Sequence, residues 1–353
     1  MSEKRIIKYY EAIREAHAES LSQDPSVYVI GLGVPSPTGI FGTTKGLVDE
    51  FGDDRVLDMP ASEGGMTGVA LGSAIAGERP VMVHMRVDFA VLSMETLVNQ
   101  AAKWHYMYGG KMRAPLTIRM IIGRGWGQGP QHSQSLQAWF AHVPGLKVVM
   151  PATASDAKGM LMAAVEDDAP VIVFEHRWLY GISGEVPEGR HVTSLEGAKV
   201  MRSGKDVTLA GFSYMSLENM RAAEMLADLG IDAEVIDMRS LTPIDTTTVV
   251  NSVQKTGRLI VADTAHTEFG ATAEVVASVV EQGFEALKKP PVRVGLPYVP
   301  TPTTPALADL YYPRAIDIAR AALKLSDNDQ TIEDTPPVTP WRDVPDPSFT
   351  GPY

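Results

Sequence analysis

The sequence predicts an α/β protein built of two domains, each a parallel or mixed sheet in a three-layer arrangement. From residue 26 onward, short β-branched runs alternate with segments of helical period, the pattern of a parallel sheet covered on both faces. A second series of the same kind begins at Asp206. The length of 353 residues also exceeds the roughly 100–200 of a typical single domain.

In chain order, strands are expected at Val27–Ile30, Arg55–Met59, Val81–Met85, Leu116–Ile122, Lys147–Met150 and Val171–Glu175. Between them Gly64–Ala76, Ser93–Met107 and Ser155–Glu166 place small and apolar residues at i, i+3 and i+4, the signature of helices. The first domain thus covers 1–190. The stretch 181–204, rich in Gly, Pro and charge, reads as an exposed linker. The second domain, 191–325, runs through DVTLAGFS, a helix at Leu217–Leu229, the strand DAEVIDM, GRLIVAD, a helix at Ala271–Phe284, and PVRVGLP. Residues 326–353 hold six prolines and no helical period, so they read as a tail, disordered or wrapped on a neighbour through Trp341, Phe349 and Tyr353.

Composition narrows the function. With 44% hydrophobic and 21% charged residues the chain reads as an ordinary globular protein, and no apolar run approaches the roughly 20 residues of a membrane span. A charged, helical N-terminus without an apolar core makes a cytoplasmic location the expectation. The absence of cysteine excludes disulfides, thiolate metal sites and cysteine nucleophiles. A formal charge of −12 argues against a nucleic-acid surface, which needs clustered basic side chains. The 17 methionines read as core filler.

Two segments carry chemistry. In VLDMPASEGGMTGVALGSAIAG a strand runs through Ala61 and Ser62 into Glu63 and a Gly/Ala-rich helix, delivering a carboxylate to the C-terminal edge of a parallel sheet, where open α/β sheets bind ligands. Locally, Glu63 could equally be a helix-start carboxylate complementing the macrodipole. The second segment, GRGWGQGPQHSQSLQAWF, has a glycine-dense loop at 123–129 and then His132 between polar neighbours able to set its tautomer. A polar turn at a helix start explains the same residues. The loop lacks the Gly-Lys-Ser/Thr ending of a phosphate-binding P-loop. His132 and His142 have no metal-ligand spacing, and no Gly-x-Ser-x-Gly elbow marks a hydrolase.

Taken in order, PASEGGMTGVALGSAIAGERPV, VNQAAKWHYMYGG, GPQHSQSLQAWFAHVPGLKVVMPAT, DAPVIVFEHRWLYG and DMRSLTPID followed by SVQKTGRLIVAD resemble the β chain of thiamine-diphosphate-dependent 2-oxo-acid dehydrogenases, and more distantly the second half of transketolase. The resemblance spans about residues 5–325. It implies a thiamine-binding pyrimidine domain followed by a transketolase C-terminal-like domain. It places Glu63 against N1′ of the cofactor's aminopyrimidine, promoting loss of the C2 proton. His132 matches the histidine that assists transfer of the activated aldehyde or acyl unit, and Ala61 and Met85 match pyrimidine contacts. In some members of that family a K+ ion is held, mostly by backbone carbonyls, at positions matching Leu116, Ala164, Val165, Asp167 and Ala169. The chain has no Gly-Asp-Gly…Asn motif, so the diphosphate and Mg2+ site is expected on a separate α subunit in an α2β2 heterotetramer.

Where the family carries an acidic residue and a stacking aromatic, this chain has Val83 and Val87, which leaves Val87 as the expected cofactor contact at that position. His84, Arg86 and Arg124 stand close by in sequence and are candidates for an anionic or polyhydroxylated substrate, or for residues facing solvent or a partner. Three activities are compatible with this pattern: decarboxylation of a 2-oxo acid with acyl transfer to a lipoyl acyltransferase, non-oxidative ketol transfer from a ketose, and a non-catalytic regulatory role. Retention of Glu63 and His132 speaks against the third.

Overall fold

The structure, a computed structural model, describes residues 5–125 and 127–333. Of the tail expected at 326–353, residues 334–353, with Trp341, Phe349 and Tyr353, lie outside the described part, as does Trp126. The chain divides into two compact units. Among the described residues, the first takes in those up to Ile122 and Trp139–Leu195, and the second Gly123–Ala138 and those from Glu196 to 333.

In the first unit, β1 (Ile6–Lys8) leads into α1 (Tyr9–Gln23), whose first turn is capped by the Glu11 carboxylate accepting from Lys8 N at 2.7 Å. There follow β2 (Val27–Ile30), α2 (Leu47–Phe51), β3 (Val56–Leu57), α3 (Glu63–Ala76), β4 (Arg79–His84), α4 (Val87–Ala90), α5 (Ala102–Met107) and β5 (Thr117–Ile122). After α6 (Gln137–Ala141) come β6 (Lys147–Val149), α7 (Ala154–Glu166), β7 (Val171–His176) and β8 (Ser183–Glu185). Six of these strands lie parallel in the order β6-β7-β5-β4-β2-β3. Every residue of β5 and β7 is buried, so both faces of the sheet centre are covered, as a parallel sheet requires.

The helix expected over Ser93–Met107 is three pieces. A 3-10 turn at Val91–Ser93 and a π-helical stretch at Thr96–Ala101 precede α5. Apolar periodicity does not separate these windings from an α-helix, because they differ by less than one residue per turn over so short a span. The stretch 181–204 is more than a linker. It contains β8, antiparallel to β1 with Ile6 opposite Glu185 and Lys8 opposite Ser183, and β9 (Lys199–Arg202) of the second unit.

The second unit continues with β10 (Val207–Gly211), α8 (Tyr214–Ala227), β11 (Ala233–Asp237), β12 (Ser240–Thr242), α9 (Thr246–Thr256), β13 (Leu259–His266), α10 (Ala271–Gly283), β14 (Val292–Leu296), α11 (Pro305–Tyr311) and α12 (Ala315–Leu325). Its five-stranded sheet has the order β14-β13-β10-β11-β9, parallel except for the antiparallel edge strand β9. Leu209, Met215, Ala222, Val235, Ile260, Ile318 and Leu323 belong to one buried core between this sheet and α8 and α12. Three-layer α/β architecture with one mixed sheet is thus observed.

Candidate functional site

In the first unit the chain passes from β2 to β3 on one side and then returns to β4 on the other, so connections diverge between β2 and β4. Such a switch point opens a crevice at the carboxyl ends of the strands. Asp58, just past β3, links the neighbouring ends by accepting Gly33 N at 2.8 Å and Met59 N at 2.9 Å. Gly31, just past β2, has no room for a side chain: a Cβ there would stand 2.5 Å from the Val83 carbonyl oxygen.

Glu63 is the first residue of α3, at the positive end of the helix dipole, after a tight turn in which Ser62 N donates to Pro60 O at 2.7 Å. It is half-buried and makes no hydrogen bond or ion pair among the described residues. A carboxylate at a helix start can cap a backbone N–H or pair with a cation. This one is left open. Ala61 beside it is exposed, and α3 packs on β4 and α4.

At the end of β4, His84 and Arg86 are buried, Met85 is half-buried, and Val83 and Val87 are buried with 1 % and 0 % exposure. The sequence reading brought these residues to one edge by proximity along the chain, and the structure gives them different surroundings. His84 Nε2 lies 3.3 Å from Thr67 Oγ1, and burial holds its pKa down at about 4, so its ring is neutral near pH 7. Arg86 reaches the Phe41 ring, 5.9 Å from its centroid, and Arg177 reaches the same ring at 4.5 Å. Burial lowers the Arg177 pKa to about 10; Tyr180 opposes this, and the neighbouring Arg86 charge adds to it. Thr67, Phe41 and Arg177 carry no motif and were not legible as site residues. Thr67 alone had a signal, its i+4 spacing from Glu63.

His132 and Arg124 belong to the second unit. His132 is exposed on a turn in which its N–H donates to Gly129 O at 3.2 Å. Arg124 is fully buried, and its guanidinium is committed to backbone. It donates to Gln128 O at 2.7 Å and to Thr303 O. The glycine-dense loop is thereby bolted in place, with Gln128 Oε1 accepting from Gly125 N at 3.0 Å. Further along, Gln137 Nε2 donates to both oxygens of Asp263 at 2.9 Å, and burial raises that carboxyl to about 7.

Of the five residues expected to hold K+, four have carbonyl oxygens that already accept from a donor. Leu116 O accepts Val171 N at 3.0 Å and Ala164 O accepts Asp167 N at 3.3 Å. Val165 O and Asp167 O both accept from Arg79 Nη1 at 3.0 Å. The Asp167 carboxylate takes Lys147 Nζ at 2.5 Å and Ala169 N at 2.8 Å. Two protein cations therefore stand at this group, a poor fit to a further monovalent cation. No cluster of three or more His, Asp or Glu that could hold a metal occurs among the described residues. Nor, among them, is any helix long and apolar enough to cross a membrane.

An open carboxylate at the start of α3, just past the carboxyl end of β3, fits a flat heteroaromatic ring with a basic nitrogen, whereas Val83 and Val87, 1 % and 0 % exposed, are core residues that present no surface to a ligand. Comparison with known proteins agrees. Residues 6–182 match the transketolase pyrimidine-binding domain and residues 196–318 the transketolase C-terminal domain. The chain is 42% identical over 334 residues to the acetoin:2,6-dichlorophenolindophenol oxidoreductase subunit beta of Cupriavidus necator, covering 92% of this chain and 98% of that one. It is 42% identical over 316 residues to the pyruvate dehydrogenase E1 component subunit beta-2, mitochondrial, of Oryza sativa subsp. japonica, covering 88% and 84%. A solved split-gene transketolase, described as an inactive beta4 tetramer, superposes with a TM-score of 0.74 at 25% identity, over 92% of this chain and 99% of that one. The open Glu63, the two matched domains and these full-length relatives lead to one conclusion: the chain belongs to the thiamine-diphosphate-dependent 2-oxo-acid dehydrogenase family, as a β subunit that acts with an α subunit.

Proposed function

We propose that this β subunit, with its α subunit, cleaves a short-chain 2-oxo acid or the corresponding acyloin and passes the activated two-carbon unit to a lipoyl acyltransferase. The half-buried carboxylate of Glu63, without a partner among the described residues, carries this reading. Bound there, thiamine diphosphate would supply the electron sink for carbon–carbon cleavage. On this reading Glu63 accepts and returns a proton at the aminopyrimidine N1′, with Ala61 and Met85 flanking the ring and the fully buried Val87 lying in the core. His132 moves a proton at the transferred group, help worth roughly 10²–10⁴ in rate. Arg86, with Arg177 beside it, is the candidate for the substrate's carboxylate or carbonyl oxygen. Arg124, committed to Gln128 and Thr303, shapes the loop, and His84 acts from below Glu63.

The α subunit holds the diphosphate through Mg2+. At Val165 and Asp167 the positive charge comes from Arg79 and Lys147, with no K+ needed. Support for the substrate class comes from relatives named for acetoin and pyruvate.

The test is co-expression with the α subunit, followed by assay of pyruvate and acetoin with an artificial electron acceptor. Cofactor binding and substrate-dependent reduction of the acceptor are expected, and the reduction should fall by about 10²-fold or more in Glu63→Gln. A reconstituted pair that binds no thiamine diphosphate, or a Glu63→Gln enzyme of full activity, overturns the proposal.

A further inference from the structure

The first turn of α3 is pressed against the 3-10 turn Val91–Ser93. A Cβ on Gly64 would stand 2.7 Å from the Leu92 carbonyl oxygen, so only glycine allows the approach. One helical turn on from Glu63, the fully buried Thr67 hydroxyl meets two further side chains, Ser93 Oγ at 2.9 Å and His84 Nε2 at 3.3 Å. Residues i and i+4 share a helix face, so this contact lies directly beneath Glu63. Three elements are thus tied at one atom: α3, the end of β4, and the 3-10 turn.

The cluster is costly as mere core. Thr67, His84 and Ser93 are 0 %, 2 % and 0 % exposed, and apolar residues would fill the same space without desolvating three polar groups. Its protons can run in two ways. Ser93 donates to Thr67 and Thr67 to His84 Nε2, or Nε2–H donates to Thr67 and Thr67 to Ser93. In both, the neutral imidazole stays in the chain, and Nδ1 has no partner among the described residues. A linked set of this kind fixes orientation more than it adds stability.

We propose that Thr67, His84 and Ser93 form a positioning network that sets the height and direction of Glu63 against the cofactor ring, a role that rests on the reading of Glu63 given above. All three act through α3 and none touches the reacting atoms. The network decides how well a carboxylate on a helix end is aimed, which local helix capping alone does not do.

The test uses Thr67→Val, which keeps the shape and removes the hydroxyl, and Thr67→Ser, which keeps the hydroxyl, in the two-subunit enzyme. Three quantities are read: the rate at which the C2 proton of bound thiamine diphosphate exchanges in deuterated water, calorimetric affinity of the apoenzyme for thiamine diphosphate, and KM for substrate. Thr67→Val should slow exchange about tenfold or more and weaken cofactor affinity, with KM unchanged, because small misplacements of a catalytic group are expensive. Thr67→Ser should recover most of both losses. Exchange and affinity within about twofold of wild type in Thr67→Val, or a Thr67→Ser as slow as Thr67→Val, overturn the proposal. Should Thr67→Val not fold, Ser93→Ala breaks the same chain at its other end and is read by the same outcomes. Glu63→Gln run in parallel separates the two levels: normal exchange there sinks the cofactor reading itself, whereas slow exchange there with normal exchange in Thr67→Val sinks only the network.

Discussion

Arg119 and Glu175 pair across the adjacent strands β5 and β7, with Nε and Nη2 donating to the two carboxylate oxygens at 2.5 and 2.7 Å and both side chains excluded from solvent. Further partners surround the pair. Arg119 Nη1 lies 2.7 Å from Nε2 of His17, which burial and the arginine keep neutral; Arg119 Nη2 donates to Thr43 Oγ1 at 3.1 Å, and Tyr180 O–H donates to Glu175 at 2.5 Å. Replacing one partner strands the other. Arg119→Met should lose about 3–5 kcal/mol in urea unfolding, while the double variant Arg119→Met/Glu175→Leu should recover most of that loss. A single variant as stable as wild type would contradict the buried pair.

Arg79 bears on the monovalent cation. Its guanidinium, donating to the Val165 and Asp167 carbonyls and to Asp168 Oδ1 at 2.8 Å, supplies the positive charge there. Melting of the two-subunit enzyme should therefore agree within about 1 °C in potassium, sodium and choline chloride of equal ionic strength, since no ion binds selectively to the folded state. In Arg79→Ala the carbonyls lose their cation, and stability should fall and become potassium-dependent. Selective stabilisation of the wild type by potassium would show that the ion coexists with Arg79.

Asp263 makes stability depend on pH in an uncommon direction. Its folded pKa of about 7 lies above the ordinary 3.8, so the native state holds this proton more tightly than the unfolded chain. Stability from this group is full at low pH and is lost as pH rises from about 4 to about 7, each pH unit within that window costing about 1.4 kcal/mol at most. Asp263→Asn cannot ionise, and a turned Gln137 amide lets its otherwise unpaired oxygen accept from the new asparagine. The variant should gain on wild type between pH 5 and 8, by calorimetry on the order of a few kcal/mol. A pH-independent difference would mean that Asp263 does not titrate there.

Gly64→Ala tests how tightly α3 is held. In an open helix this change stabilises by about 1 kcal/mol through propensity. Here the methyl meets the Leu92 carbonyl, so the variant should instead melt lower and lose activity with Glu63 displaced. Unchanged melting and activity would show that the 3-10 turn yields.

How far the sequence revealed this molecule depended on the range of the interactions. β5 and β7 were legible because β-branched runs buried on both faces are a local pattern. Glu63 was visible as a carboxylate at a strand-to-helix junction, but its lack of partners was not. β8 and β9 were hidden inside a Gly/Pro-rich stretch because each owes its existence to a distant strand, β1 or β11. The helix α9 opens with Thr246, Thr247 and Thr248, poor helix formers, and is secured by Asp245 accepting Thr248 N at 3.0 Å. The meeting of Thr67, His84 and Ser93 depends on how α3 lies on β4, which no spacing encodes.

The β1–β8 ribbon has a consequence for engineering. Because Ile6 and Glu185 sit side by side, the chain enters and leaves the first unit at one place. A longer connection between β8 and β9 would therefore leave the register of the six parallel strands untouched.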